Sequence, residues 1–219
     1  QLLARQYYQM TSLLIKAKVD FNALCDQVLP GMQELMSDHA GRHKLSDFVL
    51  RYHHTAHILK MGETRFRKDY CKWAEKKGYR NHERMAALIF ATAQNGIPVL
   101  PDAPSTQIVI TEAIRVLHTV EASRDAILTQ MQALAKTLPE YSLVREMHCI
   151  GDTLAPRLIA EIGDVRRFHS KRALIAYAGI DAPPYQSGKF CANNRHISKR
   201  GNRYLRKTGY EVMQNYVMH

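Results

Sequence analysis

The sequence predicts a mainly all-α protein: a long antiparallel helical hairpin carrying a helical insert, followed by a second helical region with a hairpin turn. Three observations carry this. Two stretches, 2–36 and 107–138, place apolar residues at i, i+3, i+4, i+7 over many turns. The segment between them breaks into short helical patterns at Gly62, Gly78 and Asn95-Gly96. Beyond Pro139 the pattern changes to short helices separated by glycines and prolines. The expected division is a coiled-coil-like helical region with inserted small helices, 1–140, and a C-terminal domain, 141–219.

In the first long helix the stripe is Leu3, Tyr7, Met10, Leu13, Leu14, Ala17, Phe21, Leu24, Val28 and Leu29, ended or interrupted at Pro30-Gly31. Such a stripe needs a partner, which the second long helix supplies with Ile108, Ile114, Leu117, Val120, Ile127, Leu128, Met131, Leu134 and Leu138. The insert reads as three helices: Leu45 to Met61, Glu63 to Lys77, and a third capped by Asn81 and running to Asn95. Pro98, Pro101 and Pro104 mark an extended connector before the second long helix.

The chain has 219 residues, a net charge of +11 and a sequence pI of about 9.6. The excess of Lys and Arg suits a polyanionic partner, by steering and by counterion release. Nucleic acid fits better than an acidic membrane, because no basic helix with an aromatic face stands out. No apolar run is long enough to span a bilayer, so no membrane association is expected. Cys25, Cys71, Cys149 and Cys191 form no C-x-x-C pair, which argues against a structural zinc site and fits a reducing, cytoplasmic setting. His53 and His57 have i, i+4 spacing, but no H-E-x-x-H pattern accompanies them and no metal ligands are assigned.

Two basic stretches point at phosphate. From Arg65 to Arg84, eight cations are interleaved with Tyr70, Trp73 and Tyr79, a pattern that serves either nucleic-acid binding with base stacking or a solvated helix face. From Ser187-Gly188 to Lys207, the cations Lys189, Arg195, Lys199, Arg200, Arg203, Arg206 and Lys207 follow one another without an acid. The first half of that stretch reads as loop, and a helix is predicted from Asn202 onward. A loop hydroxyl facing a helix start and several guanidinium groups can attack phosphorus while the cations hold the developing charge. The same residues also describe a surface turn beside a basic helix that only holds nucleic acid. A serine hydrolase fits poorly, since no G-x-S-x-G surrounds any serine and no acid and histidine partners are ordered with one.

Residues 141–163 describe two short helices joined by a tight turn at Cys149-Ile150-Gly151. This resembles a helix-hairpin-helix motif, in which Gly151 would let backbone amides approach a phosphate. Cys149 stands where that motif usually has its first glycine.

The C-terminal third carries, in order, CIGDTLAPRLIAEIGDVRRF at 149–168, SKRALIAYAGI at 170–180, QSGK at 186–189 and HISKRGNRYLRK at 196–207. Over about residues 141–210 this resembles the IS116/IS110/IS902 insertion-sequence transposases, DEDD-type recombinases guided by a bridge RNA. The long helices also look like that family's coiled coil. The resemblance implies a serine that joins covalently to DNA, placed at Ser187 with Ser198 as runner-up. It implies phosphate contacts from Gly151, Gly188, Lys189, Arg195, Lys199, Arg200, Asn202, Arg203 and Arg206. It further implies DNA and bridge RNA as partners, a homo-oligomer (dimer or tetramer), and a cytoplasmic, nucleoid-associated setting. Family members carry an N-terminal RuvC-like domain with Mg²⁺. The chain opens at Gln1 without Met, as a piece lacking that domain would, and no acidic quartet can be assembled from it. No cofactor is therefore expected in these residues, with Mg²⁺ in the missing domain, and recombination is not expected from this chain alone. His196 is the nearest candidate for the proton acceptor. The other class is a non-catalytic DNA- or RNA-binding helical module.

Overall fold

The computed structural model describes residues 1–36, 43–79, 82–182 and 196–218, together with the backbone of Gln186–Ser187 and Phe190–Cys191. The fold is all-α, with one two-residue antiparallel ladder. The helices are α1 (Leu2–Val28), α2 (Met32–Met36), α3 (Lys44–Tyr52), α4 (Thr55–Met61), α5 (Glu63–Lys76), α6 (His82–Asn95), α7 (Pro104–Lys136), α8 (Glu140–Glu146), α9 (Leu154–Ile162), α10 (Lys171–Ala178) and α11 (Arg203–Met218). By contacts the chain forms two compact units, one of residues 1–10 and 123–219, the other of 11–122. The bounds of these units fall inside α1 and α7.

In the 11–122 unit, Leu14, Phe21, Cys25 and Val28 of α1 share one core with Ile110, Ile114 and Leu117 of α7 and with the insert. The insert contributes an aromatic centre of Phe48, Tyr52, Phe66 and Tyr70, each at most 1% exposed. Tyr52 keeps its hydroxyl satisfied by donating 2.7 Å to Asp69, whose carboxylate also takes two hydrogen bonds from the Arg51 Nη2. In the other unit, Ala4 and Tyr7 of α1 cluster with Met131 of α7, and Ile150, Leu154 and Ala155 form a separate small core.

Two boundaries differ from the sequence expectation. The helix predicted over 45–61 is broken at His53-His54. His54 leaves the helical path, caps α4 by accepting the Ala56 N–H on Nδ1 at 3.0 Å, and reaches the Leu100 carbonyl with Nε2 at 3.0 Å. A side chain satisfied at both nitrogens outweighs one more helical turn. The second long helix starts at Pro104 rather than 107, because a proline at the first helical position loses no hydrogen bond and has its φ already set. His53 and His57 thus lie on different sides of a break, with ring centroids 4.8 Å apart. Among the described residues no group of three or more His, Cys, Asp or Glu is placed to hold a metal ion.

The structure also places the aromatics of the basic stretch that begins in α5. Phe66 and Tyr70 are fully buried, and Trp73 and Tyr79 pack against the same core. The aromatics belong to the interior and are not offered to bases, while Arg65, Arg67, Lys68, Lys72 and Lys76 face out. Among the described residues no helix is long and apolar enough to cross a membrane.

Candidate nucleic-acid interface

The site is built in the unit of residues 1–10 and 123–219, where the segment 196–202 lies on the C-terminal end of α10. Ser170 caps the start of α10 by accepting the Ala173 N–H, and Gly179 ends it in the left-handed conformation at φ +68°. The returning chain then bonds to that end. The Ser198 N–H donates to the Asp181 carbonyl at 2.7 Å, Lys199 N–H to the Gly179 carbonyl at 3.0 Å, and Asn202 N–H to the Tyr177 carbonyl at 2.5 Å. This backbone-on-backbone approach requires glycine at 201. A Cβ there would overlap the Tyr177 carbonyl oxygen and lie 2.5 Å from the Gly179 nitrogen.

Asn202 joins the loop to α11. Its Oδ1 accepts the backbone N–H groups of Tyr204 and Leu205 at 2.9 and 3.2 Å, which is an N-cap. Its Nδ2 donates to Glu161 at 2.8 Å and to the Tyr177 hydroxyl at 3.2 Å. Glu161, on α9, is wholly buried and would be costly there alone. It is neutralised by a bidentate pair with Arg5 of α1, whose Nε and Nη2 each lie 3.1 Å from a carboxylate oxygen. Arg5 in turn stacks over the Tyr204 ring at 3.8 Å, and Arg203 lies 4.7 Å from the same ring and donates to its hydroxyl.

These side chains line an open cleft of about 590 Å³, formed by Arg5, Ala176, Tyr177, Arg200, Gly201, Asn202, Arg203 and Tyr204. Three guanidinium groups and the positive end of a 16-residue helix converge on it. The electrostatics show in its phenols. The hydrogen bond from Arg203, with Arg5 close by, holds the Tyr204 hydroxyl below its ordinary range. At Tyr177 burial pushes the pKa up, but Arg167 and Asn202 together bring it below the usual value. Between Arg166 and Lys207 the sequence holds eleven Lys or Arg and the single acid Asp181. Asp181 is occupied by the Ser198 hydroxyl, which donates to it at 2.5 Å.

Of the residues expected from sequence, Arg200, Asn202 and Arg203 are brought together at the cleft. Lys199 is exposed beside it, in the left-handed region at φ +55°. Arg206 is turned to the Ala178 carbonyl at 2.9 Å and ties α11 to α10. Ser187 sits on the ladder, paired with Phe190, rather than in an irregular loop, and only its backbone is described. Gly188, Lys189 and Arg195 lie outside the described residues. Gly151 is exposed in the α8–α9 turn, and a Cβ there would meet nothing. Sequence reasoning missed Arg5, Glu161 and Tyr177. Glu161 had a readable signal, as an acid four residues after Arg157 in the apolar helix LAPRLIAEI; Arg5 had none, being 156 residues from its partner.

Cys149 adopts φ +63° in the α8–α9 turn, the conformation for which glycine is suited. A left-handed non-glycine residue costs ~1–2 kcal/mol, against the ~0.5–1 kcal/mol of extra chain entropy a glycine loses on folding. Cys149→Gly should therefore stabilise the protein by about 0.5–1 kcal/mol, read as a raised midpoint in urea unfolding at unchanged slope.

The fold and this cleft define a cationic helical domain suited to holding phosphate groups. Residues 141–219, which contain the ladder, the 196–202 segment and α11, match the family described as Transposase IS116/IS110/IS902. The similarity to this transposase family covers that segment, about a third of the chain. An uncharacterized 43.6 kDa protein of insertion element IS110 from Streptomyces coelicolor is 24% identical over 184 residues, covering 84% of this chain and 44% of that protein. The chain therefore spans less than half the length of this relative. No solved structure matched the chain.

Proposed function

We propose that the chain is part of a DNA transposase that cleaves and rejoins strands through a serine–phosphate intermediate, with a bridge RNA selecting the DNA. The observation that carries the reading is the family match over 141–219, which contains Ser187 and every residue lining the cleft except Arg5. In this account the Ser187 Oγ attacks a DNA phosphorus. The bond to one deoxyribose oxygen breaks, and that oxygen leaves as a hydroxyl after taking up a proton. The phosphate is now esterified to serine. A hydroxyl of a second strand then attacks it and restores the serine, so no external energy source is consumed. Arg200, Arg203 and the start of α11 hold the phosphate and the charge that develops on it.

Ser198 supports the choice of Ser187 by its engagement. Its hydroxyl donates to Asp181 and accepts the Arg200 N–H at 3.4 Å, closing the turn that carries Arg200. His196 is exposed near that turn and is close to Ser187 in sequence. No step here runs through a metal. DNA, the RNA and a second copy of the protein are the partners implied.

The full-length protein carrying Ser187→Ala should still bind its nucleic acids but lose recombination of a donor–target plasmid pair, by 10³-fold or more given the loss of a covalent nucleophile. Survival of recombination in that variant would leave a non-catalytic nucleic-acid-binding module as the function of this domain.

A further inference from the structure

We propose that the outer face of α5 is a docking strip for the phosphodiester backbone of a nucleic-acid duplex. This inference stands apart from the serine chemistry, since it concerns the 11–122 unit. Arg65, Lys68, Lys72 and Lys76 are separated by three, four and four residues, which puts them on one face over roughly 16 Å of helix. All four are exposed. The opposite face is fixed inward by Phe66, Tyr70 and Ala74, each 0% exposed, so the cations cannot be turned to the interior without unmaking the core.

Of the neighbouring acids, Asp69 is taken by Arg51 and Tyr52 and Glu63 by Arg67, which leaves Glu75, exposed beside Lys76, as the acid next to the strip. Among the described residues, Lys68, Lys72 and Lys76 have no carboxylate within ion-pair distance. Lys68 with Lys72, and Lys72 with Lys76, are like-charge pairs at i, i+4, an arrangement that weakens a helix. A face meant only for solvent gains from alternating Glu with Lys; this one sets four cations in register, with Asp69 already engaged and Glu75 beside them. A row of phosphates offsets that repulsion and is attracted by it. Because the aromatics of α5 are buried, the strip can read charge and spacing but not bases.

The test uses the 219-residue chain and two labelled duplexes of the same sequence, one DNA and one RNA. Affinity is measured by fluorescence anisotropy across a series of salt concentrations. The variant combining Lys68→Gln, Lys72→Gln and Lys76→Gln should bind at least one duplex tenfold or more weakly. Its slope of log K against log salt should be shallower by about 2–3, close to one per lost phosphate contact. The duplex that responds identifies the partner as DNA or RNA. A control combining Lys16→Gln, Lys18→Gln and Lys136→Gln removes the same charge elsewhere and should keep the wild-type slope. Far-ultraviolet circular dichroism checks that both variants stay helical. Unchanged slopes for both duplexes would overturn the proposal. So would equal losses in the variant and the control, or a loss confined to binding of phosphatidylserine vesicles. Duplex affinity and its salt slope report on the strip, whereas covalent trapping reports on the nucleophile, so the two readings fail separately.

Discussion

Gly201→Ala should destabilise the unit of residues 1–10 and 123–219 by about 3 kcal/mol. The added methyl has no rotamer to escape into. It would overlap the Tyr177 carbonyl oxygen and stand 2.5 Å from the Gly179 nitrogen, both backbone atoms in the capped end of α10. Relief requires the 196–202 segment to lift away. That breaks the hydrogen bonds from Ser198, Lys199 and Asn202 to Asp181, Gly179 and Tyr177. For a unit of this size each kcal/mol moves the melting midpoint by ~4–8 °C, so a drop on the order of 15 °C is expected in a thermal melt. Gly209→Ala is the matched control. Gly209 is within α11 and a Cβ there meets nothing within 4 Å, so helix propensity alone should raise stability by up to about 1 kcal/mol. Opposite signs at two glycines eight residues apart would show that contact, not glycine content, governs the effect.

Arg5→Ala should cost about 3 kcal/mol in the same unit. Removing one partner of a buried ion pair typically costs ~3–5 kcal/mol, because the survivor stays buried and uncompensated. Glu161 is 0% exposed and is left with Asn202 as its donor, while Arg5 is 42% exposed, which places the cost at the lower end. The pairing is tested by a double-mutant cycle with Glu161→Ala. Once the carboxylate is gone Arg5 has no buried charge to compensate, so the two losses should fall short of additivity by ~1–3 kcal/mol. Glu161→Gln should recover only part of the stability. Its amide offers one acceptor where the carboxylate takes Arg5 Nε on one oxygen and Arg5 Nη2 with Asn202 Nδ2 on the other. The NH₂ group would face a donor.

The fold class was legible because the signals for it are local. Apolar spacing in α1 and α7, Gly62 and Gly78 as stops, and Gly179 as a cap all act within a few residues. The break at His53-His54 was not legible, since it depends on the Leu100 carbonyl, 46 residues away. The site divides along the same line. Arg200, Asn202 and Arg203 stand together in sequence and were found together in space. The pair that secures them, Glu161 and Arg5, is joined by tertiary structure only. The aromatic residues of α5 show the converse limit. Their interleaving with cations fits base stacking as well as it fits an amphipathic helix, and only burial separates the two.

The most direct test of the central claim is covalent trapping. Full-length protein, its RNA, Mg²⁺ and end-labelled target DNA are incubated, denatured and resolved on a gel, with wild type, Ser187→Ala and Ser198→Ala compared. The account predicts a protein–DNA adduct in wild type and in Ser198→Ala, and none in Ser187→Ala. Strand cleavage by the wild type without any adduct would contradict it, as would an adduct that persists in Ser187→Ala.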